Sequence, residues 1–266
     1  MNNLLEIKNL KLTYHTKEFE TKALDNLSFD LNEGEFISIV GPSGCGKTTI
    51  LSLVAGLLSP SSGEVLFDNH QVSGINKDIG YMFQQDNLFD WLTVQENVLF
   101  GLKLQKKLTQ ENKNFALHLL EKYGLKDFAK HYPSELSGGM RQRVSLIRTL
   151  ATKPRLLLLD EPFSALDYQT RLKIQDIVYG IIKDEQKSVI LVTHDISEAV
   201  VMSDRVLILT ERPASVKKDL QLQFSKNSTP LEKRDSPLFN EYFNEIWREL
   251  KVWKHNLANT NCFWKN

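Results

Sequence analysis

Nine residues near the start of the chain constrain its fold more than any other stretch. They run from Gly41 to Thr49 and read GPSGCGKTT, which contains the phosphate-binding pattern G-x-x-x-x-G-K-T. An apolar run at 35–40 precedes them and predicts a buried strand, and residues 48–57 lack proline and predict a helix. This strand, loop and helix predict a site for a phosphate chain. The alternative, a glycine-rich turn before an ordinary helix, leaves the lysine and the hydroxyl without a role.

The residue types of this loop suit an anion. Glycines at 41, 44 and 46 let the backbone turn so that several N–H groups face one point, and the following helix adds its positive dipole end. Lys47 would reach the β- and γ-phosphates, and Thr48 would hold Mg²⁺. The candidate nucleotide contacts in this loop are Gly41, Pro42, Ser43, Gly44, Cys45, Gly46, Lys47, Thr48 and Thr49.

Composition limits the class of protein. Lys plus Arg is 33 and Asp plus Glu is 33, so the formal net charge of zero gives no support for binding to nucleic acid. No apolar run approaches the ~18 residues of a membrane span, and residues 1–6 do not resemble a signal peptide. The two cysteines are Cys45 and Cys262. Because Cys45 lies in the loop, we expect no structural disulfide and a reducing cytoplasm.

Apolar strands alternate with helical periodicity along most of the chain. Polar and apolar residues alternate at 4–13 and 24–31, which predicts an N-terminal antiparallel β part. Residues 91–153 have helical spacing, with Thr109 as an N-cap and Gly124 as a stop. Further strands are predicted at 65–67, 79–83, 156–159, 189–192 and 206–209. Alternating β and α units predict an α/β fold with a mainly parallel sheet.

The composition changes after Phe224. Residues 225–235 are polar and predict a linker, and Ser236-Pro237 predicts the start of a last helix. One apolar stripe marks this helix, formed by Phe239, Phe243, Ile246, Leu250 and Trp253. The stripe would pack on the core or on another subunit, and residues 256–266 are expected to be frayed.

Two acids follow the most apolar strand. Four leucines at 156–159 run into Asp160 and Glu161, which places both carboxylates at the carboxyl edge of the sheet, where α/β proteins bind ligands. Asp160 would hold Mg²⁺, and Glu161 would polarise an attacking water.

A second glycine-rich stretch carries the most specific pattern. Residues 136–143 read LSGGMRQR, and Ser-Gly-Gly at a helix start is either a second anion site or an ordinary N-cap. Together with LLLLDEP at 156–162, this stretch resembles the signature of ABC transporter ATP-binding subunits. The resemblance covers residues 4 to about 220.

The resemblance implies further roles. Tyr14 would stack on adenine, with Phe19 as the alternative, Gln84 would sense Mg²⁺, and His194 would contact the γ-phosphate. Residues 164–167 resemble the D-loop. The implied catalytic residues are Glu161, His194 and Gln84, the metal ligands are Thr48, Gln84 and Asp160, and the remaining nucleotide contacts are Tyr14, Ser137, Gly138, Gly139 and Asp167.

The resemblance also implies a division of the chain. An ABC ATPase fold has a P-loop NTPase core with a mainly parallel sheet, an antiparallel β part and a helical insert. Residues 1–85 and 154–224 would form the nucleotide-binding core, 86–153 the helical subdomain and 225–266 a C-terminal extension.

The implied function is ATP hydrolysis that drives solute uptake, with ATP and Mg²⁺ as cofactors. The implied partners are a second copy in a head-to-tail dimer, two membrane permease subunits and, indirectly, a solute-binding protein, and the implied location is the cytoplasmic face of the membrane. Residues 82–94 and Arg212-Pro213 resemble importers of nitrate, sulfonate and taurine. Pyrimidine-precursor importers, a soluble ABC ATPase and a regulatory subunit without turnover are the alternatives.

Cys45 has a separate expectation. It lies among backbone N–H groups at a helix start, which favours the thiolate. The sequence therefore predicts a reactive thiol that MgATP would protect from alkylation.

Overall fold

The computed structural model describes residues 3–15, 19–225 and 228–260. The strands are β1 Asn3–His15, β2 Glu20–Asn32, β3 Phe36–Val40, β4 Ser62–Phe67, β5 His70–Gln71, β6 Ile79–Met82, β7 Leu156–Asp160, β8 Ser188–Val192, β9 Arg205–Leu209 and β10 Val216–Gln221. The helices are α1 Lys47–Val54, α2 Val94–Leu104, α3 Gln110–Lys122, α4 Gly138–Leu150, α5 Tyr168–Asp184, α6 Ile196–Met202, α7 Pro230–Asp235 and α8 Pro237–Thr260.

Two sheets form the framework. The first is antiparallel and has the order β2-β1-β4-β5. The second has the order β10-β9-β3-β8-β7-β6, and its strands are parallel except for β10. The predicted fold class is therefore confirmed, whereas β5 and β10 were not predicted.

The parallel sheet separates two hydrophobic clusters. Every residue of β3, β7, β8 and β9 is buried, which explains why these strands read as continuous apolar runs. Along β7, Leu157 and Leu159 pack with the helices α2 to α5, and Leu156 and Leu158 pack with α1 and the antiparallel sheet. The carboxyl ends of these strands therefore lie at the edge where α1 begins.

The helices between β6 and β7 start and stop at the predicted signals. Thr109 caps α3 by accepting a hydrogen bond from the Asn112 N–H, and Gly124 follows its end with a φ of +73°. Buried Asn97 of α2 fixes the preceding loop, because its side chain bonds to the N–H and the C=O of Phe89. This loop carries the segment after Gln84 towards α4.

The C-terminal region differs from the prediction in two places. Residues 230–235 form α7, because a capping box of Thr229 and Glu232 starts a helix and Lys233 is buried under it. The linker prediction over 225–235 was wrong for this part.

The last helix, α8, packs on the core. Ile246 is fully buried beside Val40 and Val200, so this part of the apolar stripe packs on the core. The helix continues through Thr260, past the point where fraying was expected, since no glycine or proline interrupts 238–260. The side chain of Trp253 and residues 261–266 lie outside the described part. Within the described residues, no helix is both long enough and apolar enough to cross a membrane.

Candidate nucleotide-binding site

The phosphate loop connects β3 to α1 as predicted. Gly44 and Gly46 have φ values of +72° and +121°, and residues that carry a side chain rarely adopt this backbone conformation. A Cβ on Gly41 would lie 3.0 Å from the side chains of Cys45 and Leu209, so the loop packs closely against β9. The turn therefore needs glycine for both conformation and space.

Lys47 lies at the centre of this loop. Its side chain is 7% exposed, and its Nζ donates to the carbonyl oxygens of Gly41 at 2.9 Å and Pro42 at 3.0 Å. These carbonyls hold the ammonium over the loop, where phosphate oxygens can replace them as acceptors.

Thr48 and Asp160 meet at the end of β7. The Thr48 hydroxyl donates to Asp160 Oδ1 at 3.2 Å, and the Tyr81 hydroxyl donates to Asp160 Oδ2 at 3.2 Å. Burial raises the pKa of Asp160 above its ordinary value. A hydroxyl and a carboxylate are oxygen ligands that suit Mg²⁺. No group of three acidic, histidine or cysteine side chains among the described residues forms a cation cage, so Mg²⁺ would take its remaining ligands from phosphate and water.

The three predicted catalytic side chains lie together. Glu161 Oε2 is 3.1 Å from His194 Nδ1 and accepts from Gln84 Nε2 at 3.2 Å. Glu161 has a φ of +45°, and its N–H donates to the Val192 carbonyl, which fixes the carboxylate between β7 and β8. Gln84 therefore contacts Glu161 here and has no hydrogen bond to Thr48 or Asp160 within the described residues.

The loop that carries His194 is held by a buried network. The Thr193 hydroxyl donates to Glu198 Oε2 at 2.7 Å, and Asp195 caps α6. Burial raises the pKa of Glu198 to about 8. Arg171 donates to Asp195 at 3.2 Å and to the Leu166 carbonyl at 3.1 Å, which links this loop to residues 164–167. The sequence analysis did not identify Glu198 and Arg171 as part of the site. Glu198 lies only a short distance after His194 in the sequence, and this spacing could have indicated it.

The second glycine-rich stretch caps α4. Ser137 Oγ accepts from the Met140 N–H at 3.3 Å. A Cβ on Gly139 would lie 2.9 Å from Ile174 of α5, and one on Gly138 would lie 3.3 Å from Leu166, so these glycines allow α4 to approach α5 and the loop before it. In the described part of the chain, Ser137 has no hydrogen bond to the phosphate loop.

Asp167 also caps a helix. Its carboxylate accepts from the Thr170 N–H at 3.1 Å and caps α5. Ser137 and Asp167 thus both occupy helix starts outside the cluster around Glu161.

Tyr14 lies beside the start of α1. Its hydroxyl is 3.1 Å from Thr49 Oγ1, and the residue is 40% exposed. Phe19, the alternative aromatic, directly precedes β2 and is 71% exposed. Tyr14 therefore contacts the phosphate-loop helix through Thr49.

The expectation for Cys45 was wrong. The side chain is buried at 2% exposure, and burial raises the pKa of its thiol. Desolvation outweighs the nearby positive groups, so Cys45 is a packing residue of the loop.

The sequence analysis did not identify Arg212 as part of the site. Its Nη2 donates to the Gly44 carbonyl at 2.5 Å. Arg212 lies three residues after the end of β9, and its hydrogen bond to Gly44 fixes the outer turn of the phosphate loop.

A cleft of about 730 Å³ opens beside Gln84. One wall is the segment 84–90, and the others are the start of α4 and residues 164–166. Asp86 and Arg141 form an ion pair at 3.0 Å across this region. The cleft therefore connects the Glu161 cluster with the helical part.

These features define a class. A phosphate loop between strand and helix, with Asp160 and Glu161 at the same edge of a parallel sheet, is the arrangement of a P-loop nucleotide hydrolase. The family model described as "ABC transporter" matches residues 24–164, and the chain belongs to this family. It is an ATP-binding subunit of the ABC type and an ATP hydrolase.

Similar proteins agree with this assignment. An uncharacterized ABC transporter ATP-binding protein, YtlC of Bacillus subtilis (strain 168), is 47% identical over 93% of this chain and 96% of its own length. The taurine import ATP-binding protein TauB of Roseobacter denitrificans is 39% identical, over 91% of this chain and 94% of its own. The nitrate import ATP-binding protein NrtD of Synechocystis sp. is 42% identical, over 91% and 93%.

A solved structure shows the same fold. It is a dimeric structure of a post-hydrolysis state of the ATP-binding cassette MJ0796 bound to ADP and Pi. It has a TM-score of 0.71 and 35% identity, and it covers 83% of this chain and 100% of its own. The ABC ATPase fold predicted from the sequence is thereby confirmed.

Proposed function

We propose that this chain is the ATP-hydrolysing subunit of an uptake transporter for a small solute of the nitrate, sulfonate or taurine type. The observation that carries the catalytic part is the contact of Glu161 with Gln84 and His194, next to the pair of Thr48 and Asp160. The import direction is supported by the names of the taurine and nitrate relatives. Import of a pyrimidine precursor is the alternative.

Each side chain has a role in this proposal. Lys47 and the loop amides bind the β- and γ-phosphates, and Tyr14 stacks on the base. Glu161 accepts the proton of the attacking water, and His194 contacts the γ-phosphate. Thr48 and Asp160 would hold Mg²⁺, which neutralises phosphate charge when bound. Gln84 would be a further ligand of that Mg²⁺, although its amide contacts Glu161 in this structure.

Two copies would complete each site. Ser137, Gly138 and Gly139 of one copy close over the ATP of the other in a head-to-tail dimer, with Asp167 at the interface. The exposure of Ser137 supports this, because its Oγ only accepts in its own hydrogen bond and its proton remains available to donate. The solved structures of the similar cassette MJ0796 are dimeric, which supports a dimer for this chain.

Membrane permease subunits would dock at the cleft beside Gln84, on the cytoplasmic face of the membrane, and a solute-binding protein would act through them. Residues 86–153 would then move as a helical subdomain against the core of 1–85 and 154–224, with 225–266 as a C-terminal extension. The cleft joins both parts, which supports coupling through it.

Uptake in the native cells tests this proposal. Deleting the gene is expected to abolish uptake of radiolabelled taurine or of nitrate, and the wild-type gene is expected to restore it. Lys47→Ala is the matched control and is expected to restore nothing. Undiminished uptake of taurine, nitrate and sulfonates in the deletion strain would contradict the solute class, and rescue by Lys47→Ala would contradict the coupling to ATP.

A further inference from the structure

A second cavity of about 730 Å³ lies at the other end of the parallel sheet from the phosphate loop. Glu35 and Asp204 directly precede β3 and β9 at this end. The rings of Tyr179 and Phe224 line the cavity, and Lys233 of α7 lies at its side. Nothing in the nucleotide site uses these residues.

Lys233 is an unusually placed cation. It is 3% exposed, and its Nζ donates to the Ser203 carbonyl at 3.3 Å. The Nζ lies 5.0 Å from the centre of the Tyr179 ring and 5.5 Å from that of Phe224. An ammonium group can donate three hydrogen bonds, so this environment leaves part of the hydrogen-bonding capacity of Lys233 unused. No carboxylate of the described residues forms an ion pair with it.

The acids around the cavity already have partners. Glu33 pairs with Arg155 at 3.1 Å, and Asp204 pairs with Lys183 at 3.5 Å. Asp204 also accepts from the Phe36 N–H at 3.0 Å.

Glu35 is satisfied too, since it accepts from the Asn32 N–H at 2.8 Å and pairs with Arg205 at 3.4 Å. Asp204 acts on Lys233 electrostatically without forming an ion pair, so Lys233 is the cation of this cavity that lacks a direct anionic partner among the described residues. Burial lowers its pKa to about 8, so the side chain is mostly charged at neutral pH.

The size and walls of the cavity suit a small molecule. Ligand sites typically enclose about 300–1,000 Å³ and combine apolar walls with a few polar groups. We propose that this cavity binds a small organic anion, whose carboxylate or phosphate pairs with Lys233 and whose apolar part contacts Tyr179 and Phe224.

Such a ligand would act on two elements. Lys233 belongs to α7, and Ser203 directly follows α6, the helix that begins two residues after His194. A bound anion would tie α7 to the end of α6. The cavity would therefore connect the C-terminal extension to the helix behind the switch histidine.

Calorimetric titration of the full chain with phenyl phosphate and with inorganic phosphate tests the proposal. The phosphate loop must first be saturated with ADP and Mg²⁺, because it would bind the same probes. Wild type is expected to bind one phenyl phosphate, more tightly than inorganic phosphate. Lys233→Met is expected to weaken both by at least about tenfold. Lys130→Met, at an exposed lysine, is the matched control and is expected to bind as wild type.

Phe224→Leu separates the two parts of the ligand. It is expected to reduce the preference for phenyl phosphate and to keep the affinity for inorganic phosphate. Melting temperatures of all variants show whether each is folded. The proposal would be overturned if wild type binds no phenyl phosphate at the filled phosphate loop, or if folded Lys233→Met binds both probes as wild type does.

Discussion

Glu161 shows how much of the chemistry depends on one backbone position. Its left-handed φ and its hydrogen bond to the Val192 carbonyl direct the carboxylate to the point where His194 and Gln84 meet. A strained conformation at a non-glycine residue persists only where the surroundings enforce it. The carboxylate that we propose as the base is therefore held in position by the backbone of its own segment and by β8.

Tyr14 tests the base-binding side of the site. Tyr14→Ala is expected to weaken ATP binding by about 1–3 kcal/mol, because it removes a base–aromatic stack. Tyr14→Phe loses the 3.1 Å contact with Thr49 and keeps the ring, so its affinity is expected to stay near wild type. Fluorescent-nucleotide titration measures both. Normal binding by Tyr14→Ala would transfer this role to another aromatic, with Phe19 tested next.

Cys45 should resist alkylation in the native protein. Its thiol is buried and its pKa is raised, so iodoacetamide is expected to label it slowly with or without MgATP. Mass spectrometry of the peptide carrying Cys45 gives the rate, and a denatured sample provides the fast control. Fast labelling of the empty native site would contradict the observed burial.

Glu198 should make stability depend on pH. Its folded pKa of about 8 lies above its ordinary value of 4.5, so between these pH values the folded state binds more protons than the unfolded state. The free energy of unfolding is therefore expected to fall as pH rises from about 4.5 to about 8. Urea denaturation across this window measures the slope.

Glu198→Gln is expected to flatten this slope, because an amide does not titrate, and Glu241→Gln at an exposed acid should leave it intact. An equal slope in wild type and Glu198→Gln would assign the pH dependence to other groups.

Site residues could be predicted from the sequence where they lie together in one short motif. The phosphate loop and the Asp160-Glu161 pair are local patterns, and their surroundings match the expectation. Arg171 and Arg212 were missed because their partners are distant in sequence, at Asp195 and Gly44. The burial of Cys45 was missed because it depends on the packing of β9 against the loop.

At the scale of elements, buried strands were the easiest to predict. The parallel strands are buried on both faces, so their sequences are continuous apolar runs. The outer strand β10 has the polar sequence VKKDLQ and pairs only with β9 within the described sheet, so it gave no such signal. The short helix α7 depends on its cap and on tertiary burial of Lys233.

Docking of α8 on the core should contribute to stability. Ile246→Ala removes a fully buried side chain between α8 and the cluster around Val200, and is expected to lower the free energy of unfolding by about 2–5 kcal/mol. Asn244→Ala, at an exposed position of the same helix, is the control for helix propensity. Urea denaturation measures both. A change below about 0.5 kcal/mol for Ile246→Ala would show that α8 contributes little to the folded state.

The whole molecule places two cavities at opposite ends of one parallel sheet. The cleft beside Gln84 adjoins the nucleotide site, and the cavity beside Lys233 adjoins the C-terminal extension. Residues 164–167 and the His194 loop are joined through Arg171. In the proposed dimer, a second copy that contacts Asp167 would therefore be linked to the loop that carries His194.

ATP-dependent dimerisation of Glu161→Gln tests the central claim most directly. Glutamine keeps the shape of Glu161 but accepts no proton, and it removes a carboxylate near the γ-phosphate, so hydrolysis should fall while binding survives. Size-exclusion chromatography with light scattering, at several protein concentrations, is expected to show monomers without ATP and dimers with MgATP. Adding Ser137→Arg is expected to abolish the dimer. A Glu161→Gln protein that hydrolyses ATP at the wild-type rate and stays monomeric with MgATP would contradict the account.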